Sequence, residues 1–354
     1  MRRRQYLSGV AAAAAAGASG CLSGPAETLR AATPDGFHVG SAVNGHLDDD
    51  GRYRETLARE FDAATPEGAM KWAALRPSRE TFAFDRADRI AAFADEHDMY
   101  LRGHTLVWHH AVPTWLREGE FSGAELDALL REHVETVAGR YRDDVDAWDV
   151  VNEPVTAGGL RETLWKRGLG EGYVERALRL ADEAAPDTPL FLNEYGVARP
   201  NAKFDALYDL AAGLLDAGAP LDGVGVQLHT TVDTAPTPAQ FREVVRRFGD
   251  LGLDVHVTEM DVGLYTTEPG ELERQAAVYA GVLETCLEEP NCESFVTWGF
   301  TDRYTWLQSD YYDGAASKAP LPLDESYDPK PAYEAMLETL REHGSGALGG
   351  LVPG

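Results

Sequence analysis

Short apolar runs alternate with longer amphipathic stretches along most of the chain. The segments DRADRIAAFADEHD (residues 85–98) and GAELDALLREHVETVAGRY (residues 123–141) repeat their apolar residues at the spacing of one helix face. The apolar runs between such segments are shorter and bounded by turn-forming residues, which is typical of buried strands. Eight strands are predicted, at residues 37–43, 68–72, 100–108, 147–152, 190–195, 223–229, 255–262 and 294–300.

Eight strands that alternate with helices over this length predict an α/β fold, a (β/α)8 TIM barrel in a single domain. A doubly wound open sheet is the alternative, but no Gly-rich G-x-G-x-x-G turn supports it. We expect the barrel domain to span residues 37–343. The small and polar residues 22–36 predict a flexible tether, and the Gly-rich residues 344–354 predict a flexible tail.

Polar and aromatic residues stand at or near the ends of these strands, where barrel proteins place their functional groups. They are Lys71, His104, Asn152, Glu153, Asn193, Glu194, Gln227, His229, Glu259 and Trp298. Glu153 and Glu259 belong to the fourth and seventh strands, which face each other across a barrel of eight. Two carboxylates about 5 Å apart suit glycoside hydrolysis with retention, and a wider gap suits inversion. A solvated turn carboxylate is the alternative for Glu153 taken alone.

The charge balance narrows the range of partners and environments. The chain carries 59 acidic and 32 basic residues, a formal net charge of −27. That charge argues against nucleic acid as a partner. Only five of the 32 basic residues are lysines, and the other 27 are arginines. An acidic surface almost without lysine is typical of proteins from halophiles, since molar salt screens charge repulsion within about 3 Å.

The N-terminus has the pattern of an export signal. Arg2, Arg3 and Arg4 precede a short apolar, alanine-rich stretch, which is too short to span a bilayer. The arginines resemble a twin-arginine signal, and Ala18-Ser19-Gly20-Cys21 resembles a lipoprotein cleavage box. We therefore expect residues 1–21 to be a signal peptide, with Cys21 as a possible lipid anchor. The protein would be secreted or anchored to the outer face of the cell membrane.

The two other cysteines, Cys286 and Cys292, lie close together in TCLEEPNCES. A local disulfide is consistent with an exported protein, and two buried free thiols are the alternative. A zinc site is not expected here, because no histidine lies near them at ligand spacing.

Seven motifs occur in order along the chain. They are TPEGAMKW, LRGHTLVWH, WDVVNEP, GVGVQLH, VTEMDV, TWGFTDRYTWL and PLDESYDPKPAY. From about Phe37 to Leu340 the sequence resembles glycoside hydrolase family 10, the endo-β-1,4-xylanases. The resemblance implies a retaining endo-β-1,4-xylanase that acts on xylan or xylo-oligosaccharide by double displacement. It implies no cofactor and no required metal, and we expect a monomer.

The resemblance also implies roles for the residues around the point of cleavage. Glu259 in VTEMD matches the nucleophile, and Glu153 in VVNEP matches the acid/base. Asn152 matches the residue that binds the 2-hydroxyl of the sugar, a contact that strengthens in the transition state. His229 matches the histidine that orients the nucleophile, and Asp261 is similar to the residue that supports this histidine.

Further matches concern sugar binding and the cysteine pair. Lys71, His104 and Trp108 match the floor and walls of the sugar site, and Trp298 and Trp306 match its roof. Gln227 matches the glutamine of the family near the acid/base, and Glu67 matches its glutamate for the distal sugar. His109 and His110 adjoin the site, but we interpret them as structural histidines. Glu194 is interpreted as a third acid that either tunes a pKa or is structural. Some family members bridge a cysteine pair just before the eighth strand, which favours a Cys286–Cys292 disulfide.

The sequence departs from the family pattern at the distal sugar site. Gly68 and Ala69 stand where the family usually has Asn and Glu, and His110 and Ala111 stand where it usually has Ser and Gln. The missing asparagine and glutamine normally bind the sugar two places from the cut on the non-reducing side. We therefore expect the reaction to be kept and this subsite to admit a decorated or different sugar.

Two alternatives to a xylanase stay open at this point. One is another retaining β-1,4-glycanase, a β-glucanase or a mannanase. The other is a cell-surface polysaccharide-binding barrel without activity. Hydrolysis of a panel of polysaccharides would separate the three.

Overall fold

The computed structural model describes residues 27–308 and 318–344. The predicted signal peptide with Cys21, and nearly all of the predicted tail, lie outside the described residues. The predicted tether is wrong for its second half. Helix α1 (Leu29–Ala32), capped by the Thr28 side chain, contacts the C-terminal helix, and Leu29 is fully buried. The barrel domain therefore begins before residue 37, because a leucine side chain anchors this segment.

Eight parallel strands form a closed barrel, which confirms the predicted fold. They are β1 (His38–Val43), β2 (Ala63–Pro66), β3 (Tyr100–Val107), β4 (Ala147–Asn152), β5 (Leu190–Tyr195), β6 (Gly223–Thr231), β7 (Asp254–Gly263) and β8 (Cys292–Thr297). Each strand pairs with its neighbours in chain order, and β1 pairs with both β2 and β8. The open doubly wound sheet is thereby excluded.

The second strand lies earlier than the hydrophobic pattern predicted. We expected it at residues 68–72, but β2 is Ala63–Pro66, and Gly68 to Lys71 form a turn instead. The apolar character of this stretch comes from Ala69, Met70 and Trp72, which are buried outside the sheet. The ring of Trp72 stacks on His133. Lys71 then occupies the N-cap position of the next short helix, without a capping hydrogen bond from its side chain.

Helices surround the barrel and bury one apolar face each. After α1 they are α2 (Gly51–Glu60), α3 (Trp72–Leu75), α4 (Asp85–Glu96), α5 (Thr114–Arg117), α6 (Gly123–Arg140), α7 (Leu164–Leu169), α8 (Tyr173–Ala184), α9 (Ala202–Asp216), α10 (Pro238–Gly249), α11 (Pro269–Glu288) and α12 (Pro331–Gly344). Ser122 and Glu125 form a capping box that starts α6, so the first turn leaves fewer backbone N–H groups unpaired. In the part of the chain that is described, no helix combines the length and apolar character needed to cross a membrane.

Smaller elements complete the fold. A short hairpin (Val155–Thr156 paired with Gly159–Leu160) follows β4. Three 3₁₀ turns cover Gly45–Leu47, Asp302–Tyr304 and Trp306–Gln308. Cys286 at the end of α11 is joined by a disulfide to Cys292 at the start of β8.

A buried charged network fills the barrel interior beneath the site. Nε of Arg102 on β3 donates hydrogen bonds to both carboxylate oxygens of Asp149 on β4. Nη1 of Arg102 lies 2.8 Å from Nδ1 of His256. Asp149 in turn lies 2.9 Å from Nδ1 of His104. All four side chains are buried, and removing one partner of such a pair typically costs about 3–5 kcal/mol. The network fixes the ring of His104 from below.

The strand register places the polar residues of β5, β6 and β7 side by side. Between Val226 and Gln227 the pairing of β6 with β7 shifts by one residue, so that Gln227 lies opposite Glu259. Gly225 makes room for this arrangement, since a Cβ there would lie 2.2 Å from Oδ1 of Asn193.

Candidate active site

The carboxylate of Glu259 is buried and held from two sides. Oε1 accepts a hydrogen bond of 2.6 Å from Nδ2 of Asn193, and Oε2 lies 3.2 Å from Nε2 of His229. On the other side of its ring, Nδ1 of His229 lies 2.8 Å from Asp261, which also accepts a hydrogen bond of 2.7 Å from the indole N–H of Trp306. Both oxygens of Glu259 are therefore fixed in direction.

The electrostatics keep Glu259 charged despite its burial. Burial raises the pKa of Glu259, but the hydrogen bond from His229 and the charges of His104, His229 and Lys71 outweigh it, and the pKa is lowered. Burial likewise opposes the charge of His229, while Asp261 and Glu259 raise its pKa to about 10. A protonated imidazole beside an ionised carboxylate is the state at neutral pH. Glu259 is thus an oriented, ionised carboxylate at the floor of the site.

An amide cluster on β4, β5 and β6 contacts the carboxylate of Glu259. Oδ1 of Asn152 accepts hydrogen bonds of 2.9 Å from Asn193 and from Gln227. Thr258 donates a hydrogen bond of 2.6 Å to Oδ1 of Asn193. Asn152 therefore has its oxygen occupied twice, which leaves its NH2 group as the donor available to a ligand. Asn193 stood among the strand-end residues of the sequence, but its contact with Glu259 was not predicted.

Glu153 follows β4 in a backbone conformation that non-glycine residues seldom adopt. Its φ is +56°, in the left-handed region. Its N–H donates a hydrogen bond of 2.7 Å to the carbonyl of Asn193, and its own carbonyl accepts one of 2.9 Å from Arg161. Such strain persists only where neighbouring groups fix it, and it is concentrated at functional sites. The side chain of Glu153 is 12% exposed, so it reaches solvent and ligand.

Glu194 supports the segment that carries Glu153. This fully buried side chain accepts a hydrogen bond of 2.9 Å from the N–H of Val155, and Nζ of Lys203 lies 2.8 Å from its other oxygen. Burial raises the pKa of Glu194 to about 7, and Lys203 opposes the rise. Glu194 is thus tied to the loop after Glu153 from behind. The sequence had left open whether it tunes a pKa or is structural, and these contacts give it a structural role.

Two histidines lie beside Glu153. Nε2 of His109 is 3.8 Å from Oε2 of Glu153, which is longer than a hydrogen bond. The rings of His109 and His110 have their centres 4.1 Å apart. Burial, followed by the charges of His110, Arg161 and Lys203, lowers the pKa of His109 to about 3, so its imidazole is neutral. The ring of His110 is exposed.

Aromatic and basic side chains form the walls of the cleft. Nζ of Lys71 lies 4.7 Å from the centre of the Trp108 ring and 5.8 Å from that of Trp298. Trp298 turns its ring nearly edge-on to His104 and to His229, and Trp306 is similarly placed against His229. Aromatic faces beside fixed polar groups suit sugar rings, which present C–H faces and a rim of hydroxyls.

The predicted distal residue Glu67 sits at the edge of this cleft, next to open space. Burial raises the pKa of Glu67, although the charge of Lys71 and a hydrogen bond with Asn44 oppose the rise. A recess of about 120 Å³ adjoins it, lined among others by Asn44, Gly68, Ala69 and Arg86. Nothing lies within 4 Å of where a side chain at Gly68 would begin. The small residues that depart from the family pattern therefore leave real space here.

The structure brings all of the predicted catalytic and sugar-binding residues to the carboxyl end of the barrel. Cys286 and Cys292 lie elsewhere, at the amino end of β8, and take no part in the site. Arg161 and Lys203, which hold the segment around Glu153, were not singled out in the sequence. No motif points to them, because they act from the hairpin loop and from α9.

Comparisons with known proteins agree with this geometry. Residues 28–339 match the model of Glycosyl hydrolase family 10. The chain is 39% identical over 312 residues to endo-1,4-beta-xylanase B of Thermotoga neapolitana, covering 86% of this chain and 89% of the relative. It is 36% identical over 321 residues to endo-1,4-beta-xylanase A of Caldicellulosiruptor saccharolyticus, covering 86% and 93%.

Solved structures show the same similarity in three dimensions. The crystal structure of xylanase 10B from Thermotoga petrophila in complex with xylobiose superimposes with a TM-score of 0.85 at 36% identity. The match covers 90% of this chain and 98% of that one.

Proposed function

The chain belongs to glycosyl hydrolase family 10, and on that premise we propose that it hydrolyses β-1,4-xylan internally with retention of configuration. The observation that carries the proposal is the carboxylate of Glu259, ionised and aimed by Asn193 and protonated His229. The named relatives are endo-xylanases, and one solved relative binds xylobiose. Xylan or xylo-oligosaccharide is the substrate that these similarities favour.

The first step makes a covalent bond to the enzyme. Glu259 attacks the anomeric carbon through a carboxylate oxygen, and the bond to the leaving sugar oxygen breaks. Glu153 gives its proton to that oxygen, so that a neutral alcohol departs. The NH2 group of Asn152 is placed to bind the 2-hydroxyl of the sugar, whose contact tightens as the oxocarbenium-like transition state forms.

The second step releases the sugar. Glu153, now a carboxylate, takes a proton from water, and the hydroxide oxygen attacks the anomeric carbon. The bond to Glu259 breaks, and the free carboxylate returns to its hydrogen bonds with Asn193 and His229. Two inversions at one carbon give net retention.

The recess beside Gly68 supports a proposal on substrate range. With no side chain from Gly68 and only a methyl group from Ala69, the distal glycone subsite has room for a substituent on the xylose ring. We propose that this subsite tolerates a decorated sugar at the expense of hydrogen bonds to an unsubstituted one.

A panel of polysaccharides tests the proposed function. We expect reducing-sugar release from beechwood xylan, and little from mannan or β-glucan, in about 2 M salt. The salt level is chosen for the acidic surface of this chain. Release mainly from mannan or β-glucan would make the protein a different retaining glycanase. Tight binding of xylan with no release by a folded sample would make it a binding barrel.

We also propose that the protein is exported and that it is a monomer in solution. The N-terminal arginines and the cysteine box support export with a lipid anchor at Cys21, and the Cys286–Cys292 disulfide suits an oxidising compartment. Among the described residues, only Tyr195 and Tyr265 are large exposed apolar side chains. A surface without an apolar patch supports a monomer.

The distribution of lysines supports a halophilic protein. Lys330 is buried against Asp302, and Lys71 lies within the cleft. Lys166 and Lys203 are mostly buried and each pairs with a glutamate. Lys318 is the one lysine of the chain that is exposed. The surface cations are therefore almost all arginines, against an excess of carboxylates.

We expect the melting temperature to rise with salt, because screening removes repulsion among these carboxylates. Between 0.1 and 2 M KCl the rise should be on the order of 10 °C, which for a domain of this size represents several kcal/mol of unfolding free energy. Differential scanning calorimetry measures it. Sucrose, which stabilises without screening charge, is the control. An unchanged melting temperature in KCl would contradict the halophilic interpretation.

A further inference from the structure

The pair of histidines beside Glu153 is unused by the mechanism. We propose that His109, His110 and Glu153 form a binding site for a Zn²⁺-type transition-metal ion, and that the bound ion stops hydrolysis. The inhibition rests on the proposed role of Glu153, whereas the binding does not. The sequence pattern predicted that both histidines are structural and that no metal is required.

The geometry of the three groups fits an ion. A ring nitrogen from each histidine and a carboxylate oxygen of Glu153 lie within 4.8 Å of one another. The distance of 3.8 Å from Nε2 of His109 to Oε2 of Glu153 is too long for a hydrogen bond, but an ion about 2.1 Å from each atom spans it with an angle of about 130°. The exposed ring of His110 supplies the third ligand, which gives the ion three protein ligands.

The backbone around the three groups is already fixed. The carbonyl of Ala111, next to His110, accepts a hydrogen bond of 2.8 Å from the N–H of Ala73. Ala111 has a φ of +49°, so the chain turns sharply directly after the two histidines. Glu153 is held by Asn193 and Arg161. The three ligands thus need little ordering when an ion binds, and the exposed His110 gives the ion a path from solvent.

The ligand set selects the class of ion. Two imidazoles and one carboxylate suit Zn²⁺ and the neighbouring divalent transition metals, whereas Mg²⁺ and Ca²⁺ prefer oxygen ligands only. Arg161 and Lys203 bring positive charge near the site, and Glu194, 2.8 Å from Lys203 and 4.0 Å from Arg161, offsets part of it. The net negative charge of the chain also attracts cations to the protein surface in general.

A metal ion bound to Glu153 would block the carboxylate that transfers the proton. A carboxylate oxygen bonded to the ion cannot hold the proton that the leaving sugar needs, and in the second step it cannot accept one from water. Both steps of the reaction depend on Glu153, so the ion would inhibit at any substrate concentration. Removal of the ion by a chelator restores the free carboxylate.

The test measures Zn²⁺ binding directly and separately from activity. The full chain is titrated with Zn²⁺ against a chromophoric chelator, and xylan hydrolysis is followed over the same concentrations. We expect one equivalent bound, inhibition that follows occupancy, and full recovery with EDTA. Mg²⁺ at equal concentration is expected neither to bind at this site nor to inhibit hydrolysis. The matched variants are His110→Ala, which removes a ligand, and His343→Ala, which removes a histidine on the distant helix α12.

Each variant has a defined outcome. His110→Ala should keep the hydrolysis rate without metal, and should weaken both Zn²⁺ binding and inhibition by about tenfold or more. His343→Ala should change neither. Absence of stoichiometric binding to the unaltered chain, or inhibition that survives His110→Ala, would overturn the proposal. If the chain binds one Zn²⁺ through His110 but hydrolyses no xylan, the metal site stands and the proposed function fails.

Discussion

Replacing Glu259 by glutamine should lower kcat/KM on xylan by at least about a thousandfold, or roughly 4 kcal/mol in activation free energy. An amide has nearly the shape of the carboxylate but cannot form the glycosyl ester. It also removes the negative charge that His229 faces at 3.2 Å. Reducing-sugar release from xylan by the variant and the unaltered chain, at equal concentration in molar salt, measures the effect.

The exposed Glu118→Gln change is the matched control, because it removes one carboxylate from the surface and none from the cleft. It should leave the rate unchanged. A melting temperature of Glu259→Gln close to that of the unaltered chain would show that the loss is chemical rather than structural. Retention of more than a few per cent of the activity would exclude Glu259 as the nucleophile.

Replacing Glu153 by alanine should separate the two steps of the reaction. On xylan the loss should be about a hundredfold to ten-thousandfold, since the leaving oxygen is no longer protonated. An aryl xylobioside with a dinitrophenolate leaving group needs no such proton, so its glycosylation step should be largely kept. Azide should then accelerate turnover by attacking the glycosyl enzyme in place of activated water, and it should give a β-glycosyl azide.

Steady-state rates with the two substrates, with and without azide, and the configuration of the azide product decide the assignment. Glu153→Gln is the companion variant, because it keeps a long polar side chain at the left-handed position. It should behave like the alanine variant on xylan. Equal losses on both substrates, with no response to azide, would remove Glu153 from the acid/base role.

The barrel could be predicted from the sequence because its strands are mostly apolar runs between amphipathic helices. The failure at β2 has a simple cause. Ala63–Pro66 is a short run of small residues that carries little hydrophobic signal, while the nearby run with Met70 and Trp72 is more apolar but is buried outside the sheet. Apolar residues reveal burial, and burial occurs in turns as well as in strands.

The carboxylates and the sugar-binding residues could be placed because they stand in contiguous motifs. The contacts that orient them could not. The hydrogen bond from Asn193 to Glu259 depends on the register of β5, β6 and β7, including the one-residue shift at Gln227. Arg161 reaches Glu153 from a hairpin whose fold no periodicity predicts. The hydrogen-bond partners of the two glutamates are therefore determined by how the strands and the hairpin pack in three dimensions, and not by the local sequence pattern.

The start of the domain shows a similar limit. A segment of small and polar residues predicted a tether, yet the buried side chain of Leu29 and hydrogen bonds from Arg30 to backbone carbonyls fix its second half against the barrel. A few specific contacts decide the outcome there, and composition averaged over fifteen residues conceals them.

The arrangement of lysines has a practical consequence for handling this protein. Lys318 is the exposed lysine, and the four others are covered by carboxylates or by the cleft. Amine-directed coupling to a solid support or a dye would therefore attach the lysine side chains of the folded protein chiefly at one position. That position pairs through its backbone with Leu264, just past the end of β7. A dye coupled there would mark one defined position, and a solid support coupled there would hold the protein in one defined orientation.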